Sequence, residues 1–202
     1  MKKLVALFTL SLAVLTSCST DNREDYISLD APSFEVNAKR LAVTTAAQAN
    51  TRTCASAKLW AAQTQVAGTL TISTDDTSIF VKYETTSEWV IDATHLFVGS
   101  LGDMPITPSG NPRVGHFPYT QTHAMGTNVV EYVIPIDAVP DCFSVAAHSV
   151  VTKLNDAGNP IYCETSWSDG TPVGGSNWAM TTTFCKSGCT SSTTDGPVRV
   201  GR

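Results

Sequence analysis

Charge is scarce in this chain. Only 15% of its 202 residues are Asp, Glu, Lys or Arg, and the 13 basic residues are outnumbered by 18 acidic ones. A net charge of −5 excludes a broad nucleic-acid-binding face, which needs clustered Lys and Arg against phosphate. Helix-forming Glu, Lys and Leu are few beside abundant Thr and Ser. No βαβ alternation and no internal repeat is visible, which excludes a wound parallel sheet and a solenoid. Four histidines leave little material for a metal centre or a base-catalysed site. What remains is 42% hydrophobic and 8% aromatic, with 13 Gly and 10 Pro for turns. That is enough for one packed domain with a tail, of the exported β kind.

The single long apolar run, residues 4–15, follows Met1-Lys2-Lys3 and is too short to span a bilayer, which takes about 20 residues. It reads as a secretory signal peptide. The run ends at Leu15-Thr16-Ser17-Cys18, which resembles the lipobox of bacterial lipoproteins. That resemblance implies cleavage after residue 17 and acylation of Cys18 with palmitate-type chains. Each buried CH₂ contributes about 0.8 kcal/mol to membrane retention, so two or more chains hold firmly. Cleavage removes Lys2 and Lys3, leaving 11 basic against 18 acidic residues and a net charge of −7. Ser19 stands where an Asp would suggest inner-membrane retention in Gram-negative lipoproteins, and Asp21, Glu24 and Asp25 resemble the surface-export signals of Bacteroidetes lipoproteins; the resemblance implies an outer-membrane or cell-surface location. Residues 18–53 carry no sustained period and read as a flexible tether, and residues 190–202 as a frayed tail.

Between Cys54 and Cys189 the pattern changes to period two, the signature of half-buried strands. Leu70 and Ile72 alternate with Thr69, Thr71 and Ser73. After Asp75-Asp76, Ile79, Val81 and Tyr83 answer on the returning strand, which predicts a hairpin. Trp89 to Ile91 and His95 to Val98 read as two short strands joined through Asp92, and 102–126 as a long loop. Val130, Tyr132 and Ile134 share a face. Over 142–152, Phe143, Val145, Ala147, Ser149 and Val151 face one way, and Cys142, Ser144, Ala146, His148 and Val150 the other. Residues 161–167 return, 168–176 form a Gly-rich loop, and Trp178, Met180, Thr182 and Phe184 close the domain. Seven to nine short strands predict an all-β, antiparallel sandwich over 54–189.

Several stretches carry a family likeness: Thr94-His95-Leu96-Phe97-Val98-Gly99, Gly110-Asn111-Pro112-Arg113-Val114-Gly115-His116-Phe117-Pro118-Tyr119, Val145-Ala146-Ala147-His148-Ser149-Val150-Val151, Glu164-Thr165-Ser166-Trp167-Ser168-Asp169-Gly170 and Asn177-Trp178-Ala179. In this order they resemble a largely uncharacterised domain of secreted and surface proteins of Bacteroidetes. The resemblance implies an extracytoplasmic β-sandwich and carries no catalytic residues with it.

Besides Cys18, the chain has Cys54, Cys142, Cys163, Cys185 and Cys189. Export favours disulfides, and five cysteines allow two bridges and one spare thiol. Cys54 brackets the domain with Cys185 or Cys189. A hairpin turning near Asp156 sets Cys163 opposite about Val150, out of reach of Cys142. Cys185 and Cys189 lack the second close pair that zinc needs. Gly174-Gly175-Ser176-Asn177-Trp178 lacks the last glycine and the helix of a nucleophile elbow and reads as a loop. Glu164 and Asp169 fit strand and turn better than a glycosidase pair. His116 and His123 share a loop at a spacing that fits no helix or strand face, and His95 and His148 lie in apolar strands. Asp75-Asp76 reads as a turn rather than a calcium site. Trp89 and Trp178 read as core. Trp167 and Tyr119, beside long loops and together with Asp169, are the candidate ligand contacts.

These residues define no catalytic set, no metal and no cofactor. The expected function is a lipid-anchored, non-enzymatic binding or adhesion module for a glycan or surface protein, with the loops 102–126 and 168–176 as its recognition surface. One alternative is a surface enzyme acting on polysaccharide or peptide through Glu164, Asp169 or a histidine. The other is a structural subunit of a surface assembly.

Overall fold

The computed structural model of the protein describes residues 35–39 and 51–191. The signal peptide, Cys18, most of the 18–53 stretch and the end of the tail lie outside the described residues. Among those described there is no α-helix. Twelve strands follow one another: β1 (Glu35–Lys39), β2 (Arg52–Ala61), β3 (Gln65–Thr74), β4 (Ser78–Thr85), β5 (Trp89–Gly99), β6 (Tyr119–Thr122), β7 (Val129–Pro135), β8 (Cys142–Leu154), β9 (Pro160–Ser168), β10 (Thr171–Pro172), β11 (Met180–Cys185) and β12 (Thr190–Ser191). Every pairing is antiparallel. The expected all-β class is therefore what the chain adopts.

Hydrogen-bonded neighbours run β1-β7-β4-β3-β2-β9-β8 and continue through β5 to β6. The sheet curls so that Tyr132 of β7 meets Thr94 of β5 and Tyr119 of β6, as in a sandwich or half-barrel. Its two halves are joined where Leu59, Trp60 and Ala61 of β2 pair with Ser168, Trp167 and Ser166 of β9. Strand β8 organises the second half. It runs beside β5 along one edge, while its other edge takes β11 at 142–145 and β9 at 148–154.

Alternation decides what faces inward, because burying each Val, Leu, Ile or Phe contributes about 1.5–3 kcal/mol. Leu70, Ile72, Ile79, Val81, Tyr83, Val130, Tyr132 and Ile134 meet Leu96, Val98, Phe143, Val145 and Ala147 in the main core. A second core lies on the opposite face of β5 and β8. There Phe97, Ala146 and Trp167 are covered by Met104 and Phe117 from the segment after β5, and by Ala179. The outward Ser144, Ala146 and His148 of β8 are thus buried as well as the inward residues between them.

The structure differs from the sequence reading at several places, among them Thr190 and Ser191, which lie in the expected frayed tail and pair with β2. Residues 35–39, inside the expected tether, form a strand beside β7. Asp92 does not divide two strands. It is a bulge within one strand, β5, where the register shifts between Ile91 and Ala93, and it accepts a hydrogen bond from Thr152 Oγ1 at 2.7 Å. The loop 102–126 contains β6, and its Met104, Pro112 and Phe117 are buried, so much of it is a cover. Cys163 pairs with Thr152 rather than Val150, because the turn centres on Ala157, with Leu154 opposite Pro160, and the β8–β9 register shifts once more between Lys153 and Leu154.

Cys54 is bonded to Cys189, and Cys142 to Cys185. The second bond joins residues directly opposite each other on β8 and β11. Among the described residues no cysteine is free, so the expected spare thiol is not found at Cys163, which is itself engaged.

Candidate functional site

The join between β2 and β9 also builds the most suggestive surface of the molecule. Strand β2 alternates Leu59 into the core with Trp60 outward. Strand β9 ends at Ser168 and turns through Asp169 and Gly170 into β10. That turn is tight because a Cβ at Gly170 would lie 2.5 Å from the Thr181 carbonyl oxygen. Trp60, Gln63, Ser168, Asp169, Trp178 and Met180 together line an open cleft of about 260 Å³.

The cleft has two half-buried indoles and a fixed carboxylate. Trp60 Nε1 donates to Asp169 Oδ1. The Asp169 backbone is held by its own N–H on the Lys58 carbonyl at 2.8 Å and by Thr182 Oγ1 donating to its carbonyl at 3.2 Å. Lys58 Nζ lies 5.3 Å from the centre of the Trp60 ring. Trp178 packs its inner side on the second core.

Of the candidate ligand contacts read from sequence, only Asp169 lies here. Trp167 is 4% exposed and Tyr119 is 1% exposed, so both are core residues and not recognition residues. Trp167 stands edge-on to His148 at 4.9 Å and to Phe117 at 6.4 Å. Tyr119 is drawn inward when β6 pairs with β5, and its ring meets Tyr132 at 6.3 Å. Trp89 is core as expected, at 1% exposed, while Trp178 is displaced from core to cleft wall. Trp60 carried no distinguishing local signal. Its meeting with Asp169, 109 positions away, depends on a three-residue strand pairing.

The histidines do not converge with a nucleophile. His95 and His148 face each other across β5 and β8, with Nδ1 to Nδ1 at 3.2 Å. Burial first, and then the neighbouring His95, lowers His148 to about 3; burial also lowers His95. His123 contacts Thr94 Oγ1 at 2.7 Å through Nε2, and Thr94 in turn contacts Tyr132 Oη at 2.7 Å. Burial, followed by His95, lowers His123 to about 4. Thr94 is wholly buried and His123 half-buried, so the hydroxyl of this pair is not presented at the surface as a nucleophile would be. His116 is exposed on a short 3₁₀ turn. Among the described residues no three of His, Cys, Asp and Glu gather as a metal ion would require.

Ser176 belongs to a loop and not to a nucleophile elbow. Asn111 Oδ1 accepts from the backbone N–H groups of Ser176 and Asn177 at 2.8 and 3.0 Å, and Asn111 Nδ2 donates to Ser176 Oγ at 3.2 Å. One side chain thereby clamps the Gly-rich loop to the segment covering the second core. Asp75 Oδ1 accepts from the backbone N–H groups of Thr77 and Ser78, each at 2.7 Å. That is the arrangement of an Asx turn. Glu164 does not line the cleft.

No family model, no curated protein and no solved structure matches this chain.

Proposed function

We propose that this protein is a lipid-anchored, non-enzymatic surface module that binds a glycan in the cleft between Trp60 and Trp178. The observation that carries this reading is the pairing of two half-buried indoles with hydrogen-bonding side chains from Gln63, Ser168 and Asp169 in one small cleft. Pyranose rings offer apolar C–H faces that stack on aromatic rings, and hydroxyls that need fixed donors and acceptors at the edge. The Leu15-Thr16-Ser17-Cys18 lipobox supports an anchor at the outer membrane, and disulfides support an oxidising compartment. Chemistry is disfavoured because, of Glu164, Asp169 and His116, only Asp169 lines the cleft.

The test is binding of the purified protein to a panel of polysaccharides and host glycoproteins. Trp178→Ala and Trp60→Ala are each expected to weaken a saturable interaction at least tenfold, by about 1–3 kcal/mol, while leaving the circular dichroism spectrum intact. Silence of the folded wild-type protein across the panel would sink the glycan reading.

A further inference from the structure

The turn joining β2 to β3 is built from the wrong residues for its shape. Ala62 and Gln63 both lie in the left-handed region, at φ 47° and 65°, and the Thr64 N–H donates to the Ala61 carbonyl at 3.2 Å. Two successive positive φ values define a turn of the I′ kind, which Asn, Asp and Gly occupy readily because the αL conformation costs them little. Ala and Gln carry a Cβ that opposes it. No other non-glycine residue among those described has a positive φ. This strain therefore sits at one place, and Gln63, one of its two residues, lines the Trp60–Trp178 cleft.

Strained backbone persists where the surrounding structure over-determines it, and it clusters at ligand clamps. Here the flanking strands fix the turn. Trp60 pairs with Val66, Ala61 pairs with Gln65, and the Ala62 N–H donates to the Thr165 carbonyl at 3.2 Å. An Asn-Gly turn would fit this frame with less strain but would remove the long amide from the cleft.

We propose that the strained turn serves to hold Gln63 as the specificity-determining contact for an uncharged hexopyranose. This rests on the glycan reading above. The Gln63 amide supplies an acceptor and two donors on one rigid plane, suited to two adjacent ring hydroxyls, each both donor and acceptor. Asp169 offers acceptors only, and one of its oxygens already takes the Trp60 indole, so it requires a hydroxyl donor from the sugar. A carboxylate in the cleft lining disfavours a uronic acid at the same position. The ammonium of Lys58 lies over the Trp60 ring and is not part of that lining.

The experiment compares three proteins: wild type, the double variant Ala62→Asn with Gln63→Gly, and Gln63→Asn. The probes are neutral gluco-, manno- and galacto-oligosaccharides and an oligogalacturonate. The double variant should melt about 3–6 °C higher, because its turn is relieved. It should bind the preferred neutral sugar at least tenfold more weakly, with discrimination among the three hexoses collapsing. Gln63→Asn, which keeps an amide, should recover part of the affinity. If the double variant binds and discriminates as wild type does while Trp178→Ala still abolishes binding, the role of Gln63 is overturned and the cleft stands. Preference for oligogalacturonate overturns the uncharged class. Wild-type silence toward every probe overturns the cleft reading and this inference with it.

Discussion

His148 is 6% exposed and lies between His95 and Trp167, so its imidazole is neutral in the fold. An unfolded chain protonates the same ring near 6.5, the ordinary value, whereas the folded value is about 3. The unfolded state therefore binds more protons across this window, and stability from this group is complete above about pH 6.5 and declines as pH falls toward 3. By pH 4 the loss is about 3 kcal/mol from His148 alone. Urea unfolding in metal-free buffer at pH 8 and pH 4 should show a smaller drop for His148→Phe than for wild type. Equal drops would mean that His148 does not carry the acid sensitivity. The neighbouring Trp167 belongs to the same buried group. Replacing it with alanine tests the fold at a cost of about 3–5 kcal/mol, whereas replacing Trp178 tests the cleft.

At the scale of elements, the covering segment after β5 and the Gly-rich loop behave as one unit because Asn111 bonds both. Gly175 is part of that unit. Its φ of 78° and the Asn111 Oδ1 at 2.3 Å from a would-be Cβ leave no room for a side chain. Gly175→Ala is expected to cost about 2 kcal/mol and Asn111→Ala a similar amount. In both variants, faster hydrogen exchange should be confined to 105–117 and 172–179. Exchange unchanged in both segments would show that the clamp is dispensable.

These couplings mark the limit of local pattern. The β3–β4 hairpin and the two faces of β8 were legible because period two is written within each strand. The curl, and with it the identity of the surface tryptophans, was not. Trp167 looked exposed because it adjoins a loop, yet that loop folds back and buries it. Trp60 and Asp169 meet only through a pairing three residues long. Tyr119 follows Pro118 in a polar, turn-rich stretch and becomes core only through β6. Asp92 resembled a turn because a bulge and a turn both favour a polar residue.

At the scale of the whole molecule, two disulfides among the described residues limit how far the unfolded chain can spread. Cys54–Cys189 closes a separation of 135 residues and Cys142–Cys185 one of 43. Chain-entropy reasoning assigns them up to about 5 and about 4 kcal/mol respectively. Thermal melts with and without reductant should therefore differ by well over 10 °C. Replacing Cys54 and Cys189 together by serine should account for the larger share. A reduced protein that melts within a few degrees of the oxidised one would overturn this assignment.

The Cys54–Cys189 bond also determines how the protein answers a pull. A force that reaches the domain through β1 meets a strand held to β7 by five residue pairs and without a cysteine of its own. Once β1 detaches, the load reaches β2, which is paired with β3 along nearly its whole length and stapled near its start to Cys189. Tension on β1 therefore acts on strand pairing alone, whereas β2, and with it the cleft residue Trp60, is held by strand pairing and by a disulfide.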